Sequence, residues 1–311
     1  MTEILKRTTI ALALLLTTSA AVAERFDTAY VGRPKEDLTI KIRLNQSGSR
    51  VVVKGKQNDT KFSTDIGSDM KATISVAASY KGIAAGLAIN PLKLLGKYND
   101  FELNANTYSN RFGVDAVFAR VNSYTGTMSW GGEESEIVSG QVEQRMLTVS
   151  GYYVFNHRRF SYPAAFSQSQ IQRVSCGSWL LGATLMWGYY AHDATLQHGS
   201  EEARLTTRHL GLGCGYGYNF VLRKGGLLHI SAVPQIVVWT DDYIKSGSSR
   251  KGSMLRFPNF ITTGRMAVVH SFGNKFIGLT AVINQNSAGS ESDFHVTNVK
   301  WRARLFYGFR I

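Results

Sequence analysis

The 311-residue chain carries 35 Lys and Arg against 22 Asp and Glu, with 44% hydrophobic and 18% charged residues, 30 Gly, 5 Pro and 2 Cys. The charged fraction is below the roughly 25% of soluble domains while the apolar content is ordinary, which excludes intrinsic disorder, and two cysteines exclude a disulfide-stapled scaffold. A net charge of +13 suggests nucleic acid or an anionic membrane surface, unless the placement of the charges gives them another role.

At the N-terminus, Lys6 and Arg7 precede an apolar run from Ile10 to Leu16 and the small residues Ala21, Val22 and Ala23. This pattern predicts a secretory signal peptide over residues 1–23, cut before Glu24. The run is shorter than the ~20 residues of a spanning helix, and no Cys follows it as a lipoprotein would require. Export argues against nucleic acid as a partner. Residues 24–36 read as a short periplasmic segment and 37–311 as a single domain.

No later stretch offers a run of apolar residues long enough for a helical span. What recurs is alternation at period two. In chain order it predicts strands at 38–46, 49–56, 70–81, 82–90, 100–108, 111–121, 145–156, 173–190, 204–222, 226–239, 258–270, 274–285 and 295–311. In the eighth of these, Trp179, Leu181, Leu185 and Trp187 alternate with Ser178, Gly182, Thr184 and Gly188. The last is the clearest: Val299, Trp301, Ala303, Leu305, Tyr307, Phe309 and Ile311 make one face, and Lys300, Arg302, Arg304 and Arg310 stand on the other. An apolar face with aromatics near its ends suits the band of an outer-membrane barrel. Single-chain bacterial barrels have even strand numbers, so the thirteen stretches imply twelve strands, if one of the first two lies outside the barrel. Fourteen is the alternative, if residues 61–66 add another strand. The fold class is all-β, an antiparallel transmembrane β-barrel over 37–311. Short connections at 223–225 and 271–273 alternate with long ones at 121–144, 191–203, 240–257 and 286–294, as periplasmic turns and outer loops do.

Charge placement sharpens this. From Arg145 onward the acidic residues are Asp193, Glu201, Glu202, Asp241, Asp242, Glu291 and Asp293, all in predicted outer loops, while strands and short turns hold most of the Lys and Arg. Arg or Lys on the lipid face near the midplane would cost ~2–4 kcal/mol, so these bases are expected to face the lumen or sit at the interfaces. Arg208, Arg265, Lys300, Arg302, Arg304 and Arg310 are the candidate basic lumen. Such a wall attracts anions; the competing reading makes the same residues packing and hydrogen-bonding struts.

Three segments carry a resemblance. Gly82 to Tyr108 reads GIAAGLAINPLKLLGKYNDFELNANTY and continues to Arg111, Phe112, Gly113 and Asp115; Asn156 to Ser178 reads NHRRFSYPAAFSQSQIQRVSCGS; Asp27 to Ser49 reads DTAYVGRPKEDLTIKIRLNQSGS. The chain resembles the outer-membrane-type family catalogued as domain of unknown function 4421. The resemblance implies a β-barrel surface or outer-membrane protein of a Gram-negative bacterium, and it implies no activity and no functional residues.

Catalytic signals are weak. His198 and Ser200 share a face if extended, with Glu201 and Glu202 following, but they fall in a loop tip. His157, Arg158, Arg159 and Ser161 read as a basic turn. Phe160 to Gln172 is too long for a tight turn and is expected to form a small plug in the lumen, a periplasmic contact, or an ordered turn on the rim. Cys176 is predicted opposite residue 218, about 13 Å out of register with Cys214, beyond disulfide reach. No metal, nucleotide or other cofactor motif is present. The expected function is a passive anion-preferring channel or a structural surface protein, with a lipid-modifying barrel enzyme or a surface adhesin using the long loops as alternatives. Expected partners are outer-membrane lipid and lipopolysaccharide, the barrel-assembly machinery and small anionic solutes.

Overall fold

The computed structural model describes residues 26–57, 59–80, 83–89, 100–192, 203–246, 249–252, 259–290 and 294–311. The expected signal peptide, His198 and Ser200 lie outside the described residues. A two-residue strand, β1 (Val31–Gly32), precedes β2 (Leu38–Gln57), β3 (Thr60–Ser68), β4 (Lys71–Tyr80), β5 (Ile83–Ile89), β6 (Phe101–Tyr108), β7 (Phe112–Val121), β8 (Tyr124–Trp130), β9 (Glu133–Ile137) and β10 (Val142–Val154). A one-turn helix, α1 (Tyr162–Phe166), and β11 (Ile171–Gln172) interrupt the series. Then come β12 (Cys176–His192), β13 (Ala203–Leu222), β14 (Gly226–Thr240), the small hairpin β15 (Tyr243–Ser246) and β16 (Ser249–Gly252), β17 (Phe260–Phe272), β18 (Lys275–Ser290) and β19 (Phe294–Arg310).

All pairings are antiparallel, and they close on themselves. The wall runs β10, β12, β13, β14, β17, β18, β19. There the last strand meets the first long one, from Arg310↔Thr39 to Phe294↔Gly55. The other edge of β2 pairs with β3 at one end and β4 at the other, one strand line broken at Asp69 and Met70. β3 pairs with β8, β8 continues β7 across Asn122 and Ser123, and β7 returns to β10. Ten strand lines therefore make the ring in the loop-end half. In the half nearer the termini, β5 pairs with β4 and β6 with β7, which makes twelve strand lines among the described residues. The strand number depends on height along the barrel.

The thirteen predicted stretches differ from this in several places, among them β8 and β9, which lie in the long connection expected at 121–144, and the hairpin of β15 and β16 in that expected at 240–257. The first two stretches are a single strand, because Gly48 is no break: it lies under the Trp301 indole, where a Cβ would sit 3.1 Å from Nε1. Residues 61–66 do form a strand, but one continuous with the next.

Burial is inverted relative to a soluble protein. Trp179, Leu181, Leu185 and Trp187 on β12 point outward, Trp179 being 62% exposed, as do Leu212, Tyr216 and Phe220 on β13. Inward stand Thr184, Asn219, His229, Ser231, Gln235 and Arg265, all buried. An apolar exterior around a polar interior suits lipid, where the backbone of each strand has to be paired by its neighbours. Among the described residues no helix is long and apolar enough to cross a membrane; the strands cross. Cys176 and Cys214 are free, and Cys176 pairs with Asn219, one residue from the predicted register.

Candidate functional site

At the end near the termini residues 156–172 fold into the lumen. Ser161 caps α1, its Oγ accepting from Ala164 N at 3.1 Å, with Pro163 in the first turn. Phe160, Tyr162 and Ala165 have no exposed surface. They pack on Tyr152, Val154, Leu180 and Val233 and, on the other side, Ala267 and Phe276. Polar groups of the inner wall fix this segment: Tyr162 Oη donates to Ser231 Oγ at 2.9 Å, and Asn219 Nδ2 donates to the Ser161 carbonyl and Gln172 Oε1, both at 2.9 Å. His229 joins Asn219 Oδ1 (2.7 Å) to Ser231 Oγ (3.0 Å). Lys41 Nζ donates to the Ser167 carbonyl and to Gln168 Oε1, and Arg310 Nη2 donates to the Gln168 carbonyl. Of the three expectations for Phe160 to Gln172, the structure selects the plug.

Above the plug lies a cavity of about 870 Å³, lined by Phe166 to Gln170, by Arg43, Tyr108, Asp115 and Arg265, and by Lys300, Arg302 and Arg304. Glu36 and Asp37 also line it, and two further carboxylates pair with its bases. Glu102 Oε2 meets Lys300 Nζ at 3.1 Å and its Oε1 meets Arg302 Nη2 at 3.0 Å. Asp115 accepts from Arg265 Nη2 at 2.5 Å and from Tyr108 Oη at 2.6 Å. Arg43 and Arg304 are diagonal neighbours on the inner face of β2 and β19, given the registers Phe306↔Arg43 and Arg304↔Asn45. Neither forms an ion pair or side-chain hydrogen bond with a described residue.

Toward the loops the lumen is packed by Val51, Ile66, Val121, Tyr124, Ile137 and Val142. Tyr124 Oη donates to Gln144 Oε1 (2.7 Å), and Gln144 Nε2 donates to Tyr190 Oη (2.8 Å), which also accepts from Asn298 Nδ2.

The structure thus gathers Arg265, Lys300, Arg302 and Arg304 of the predicted set around one cavity. Arg310 belongs to the plug seat and also lies 5.0 Å from the Phe276 ring centroid. Arg208 is a correction: it stands on the outer face, 5.4 Å from the outward Trp187 ring and bonded to Asp241 Oδ2 at 2.7 Å. Its parity with Leu210 and Leu212 puts it there, whereas its neighbour His209 turns inward to the buried Asp242 at 2.9 Å. Lys41, Arg43, Glu102 and Asp115 complete the site without having been singled out. All four sit in predicted strands, but the acids lie before Arg145, outside the stretch where charge segregation is visible.

Residues 25–310 match the family described as Domain of unknown function (DUF4421). A comparison with curated proteins finds no match. Among solved structures, the chain is similar to the outer membrane protease OmpT from Escherichia coli, with 7% identity, 89% of this chain and 97% of that one covered, and a TM-score of 0.46. It is also similar to the outer membrane protein OprG from Pseudomonas aeruginosa (10% identity, 89% and 97% covered, TM-score 0.31). The P. putida toluene transporter TodX is a third (6%, 89% and 91%, 0.29).

Proposed function

The chain belongs to the family Domain of unknown function (DUF4421), an outer-membrane β-barrel in fold, and from that premise we propose that it is a narrow, anion-preferring path whose lumen holds a basic chamber. The observation carrying this reading is the pair Arg43 and Arg304, which line the cavity with no carboxylate or hydrogen-bonding side chain of their own among the described residues. Guanidinium groups left without a protein acceptor in a confined chamber attract small anions and repel cations. Lys300, Arg302 and Arg265 contribute less to the field, because Glu102 and Asp115 neutralise part of it. The plug and the packed loop end make the path narrow, so conductance is expected to be small.

The same ion pairs favour a second reading, a structural surface barrel in which the bases are struts. Purified protein in planar bilayers under a KCl gradient separates the two. The channel reading expects a reversal potential of anion-selective sign that moves toward zero in Arg43→Gln/Arg304→Gln. No conductance at any voltage, or cation selectivity, overturns it.

A further inference from the structure

The outer surface of β7, β10, β12 and β13 changes chemistry at one level. Phe118, Leu147, Leu185 and Leu210 belong to the apolar band; one step toward the loops on β7, β10 and β13 stand Arg120, Arg145 and Arg208. Arg120 and Arg145 are direct cross-strand partners, Arg145 faces Tyr189, Arg208 faces Trp187 and Arg204 faces Ala191. Arginine on the lipid face is costly at the midplane and nearly free at the interface, so this level lies among lipid headgroups.

These guanidinium groups are held in place. Arg204 Cζ lies 3.6 Å from the Tyr189 ring centroid with Arg145 Cζ 5.7 Å from the same ring, and Arg208 is fixed on Trp187. Glu143 meets Arg120 at 3.2 Å and also bonds Arg145, while Asp241 takes Arg208. Among the described residues, four guanidinium groups against two carboxylates leave a surplus of positive charge. Arg120, Arg145 and Arg208 keep donors unused by their carboxylate partners, and their side chains are 42%, 36% and 35% exposed.

We propose that this patch is a binding site for the phosphate groups of an outer-leaflet glycolipid. Planar, pre-positioned guanidinium groups match phosphate oxygens, and the aromatic and aliphatic band directly beneath offers the acyl chains a surface. A free phosphate ion would use only the upper half of this arrangement, which commits the site to a lipid. The proposal is independent of the lumen and of any transport.

The test uses the full chain in detergent micelles, with bound lipid read by native mass spectrometry. Bisphosphorylated lipid A, the same lipid with its phosphates removed enzymatically, and inorganic phosphate as competitor are the three probes. Phosphorylated lipid should be retained over the dephosphorylated form, and millimolar inorganic phosphate should leave it bound. Arg145→Gln/Arg204→Gln/Arg208→Gln should weaken retention on the order of 100-fold. Arg50→Gln, an exposed outer-face position on β2 paired with Asp65, should change it little. Equal retention of both lipids, displacement by inorganic phosphate, or a triple variant that stays folded by its heat-modifiable gel mobility yet binds like the parent would overturn the proposal. If the triple variant does not fold, Arg204→Gln alone is measured, and unchanged retention there counts against the site in the same way.

Discussion

Arg265 on β17 and Asp115 on β7 meet at 2.5 Å across the lumen, although β10, β12, β13 and β14 separate them along the wall. Both side chains are largely buried, so the contact ties opposite walls where solvent screens little. Asp115→Asn is expected to destabilise the barrel by about 3–5 kcal/mol, because it leaves the Arg265 guanidinium buried beside tyrosines without a counter-charge. Arg265→Met/Asp115→Leu should cost less than Asp115→Asn alone, since removing both charges also removes their desolvation. Urea midpoints of the parent, Asp115→Asn and Arg265→Met/Asp115→Leu check the sign.

The plug is held by few polar anchors, and Lys41 supplies two of them. Lys41→Met should release the Ser167 and Gln168 end while leaving the sheet pairings intact. Hydrogen exchange of the amides from Tyr162 to Gln172 should then rise by an order of magnitude or more, from a local loss of about 1.5–3 kcal/mol for a charged hydrogen bond. The amides of β12 and β13 should not change. If both accelerate together, the plug is part of the global folding unit.

Asp242 gathers three groups at the outer end of β13 and β14. Its Oδ2 meets His209 Nε2 at 2.9 Å and accepts from Thr240 Oγ1 at 2.7 Å, and its Oδ1 accepts from the Arg208 amide at 3.2 Å. Asp242→Ala leaves a buried imidazole and a half-buried hydroxyl without this acceptor, and the cost is expected at about 2–4 kcal/mol. Asp242→Asn, which keeps an acceptor oxygen, should lose less than half of that. A thermal melt of the three proteins in the same detergent measures both differences.

Much of this architecture is legible in the sequence because a lipid-facing barrel writes its inside and outside into alternate residues. Val299 to Ile311 divides into an apolar outer face and a basic inner one, as β19 does in the structure. The same rule, applied to Leu210 and Leu212, places Arg208 outside, where Trp187 and Asp241 hold it. Other features are non-local. That Glu102 compensates Lys300 and Arg302 depends on β6 reaching across to β19, which no spacing reveals. The sequence of the plug is compatible with three placements, because an amphipathic segment with Tyr162 and Phe166 looks the same on a rim as in a lumen. The change from ten to twelve strand lines was invisible, since β3 and β4 read as separate strands until their shared partner β2 is known.

That change is built around Asp100, buried between β3, β4, β7 and β8. Its Oδ1 accepts from the amides of Asn122 and Ser123 at 2.6 and 3.2 Å, its Oδ2 accepts from Ser123 Oγ at 2.6 Å, and Lys71 Nζ lies 3.2 Å from Oδ2. The carboxylate therefore satisfies the backbone exactly where β7 gives way to β8 and where β4 begins, the two breaks at which the wall divides. A neutral Asn supplies one acceptor oxygen but presents an amide to Lys71, and Ala supplies none. Asp100→Ala is expected to cost about 3 kcal/mol, and Asp100→Asn about half as much. The loss should appear first as faster hydrogen exchange in the amides that β3 and β8 share, from Phe62 to Ser68 and Tyr124 to Trp130. Those on β18 and β19 should remain protected. Uniform acceleration around the whole ring would show that Asp100 supports the barrel generally and not the seam between β3 and β8.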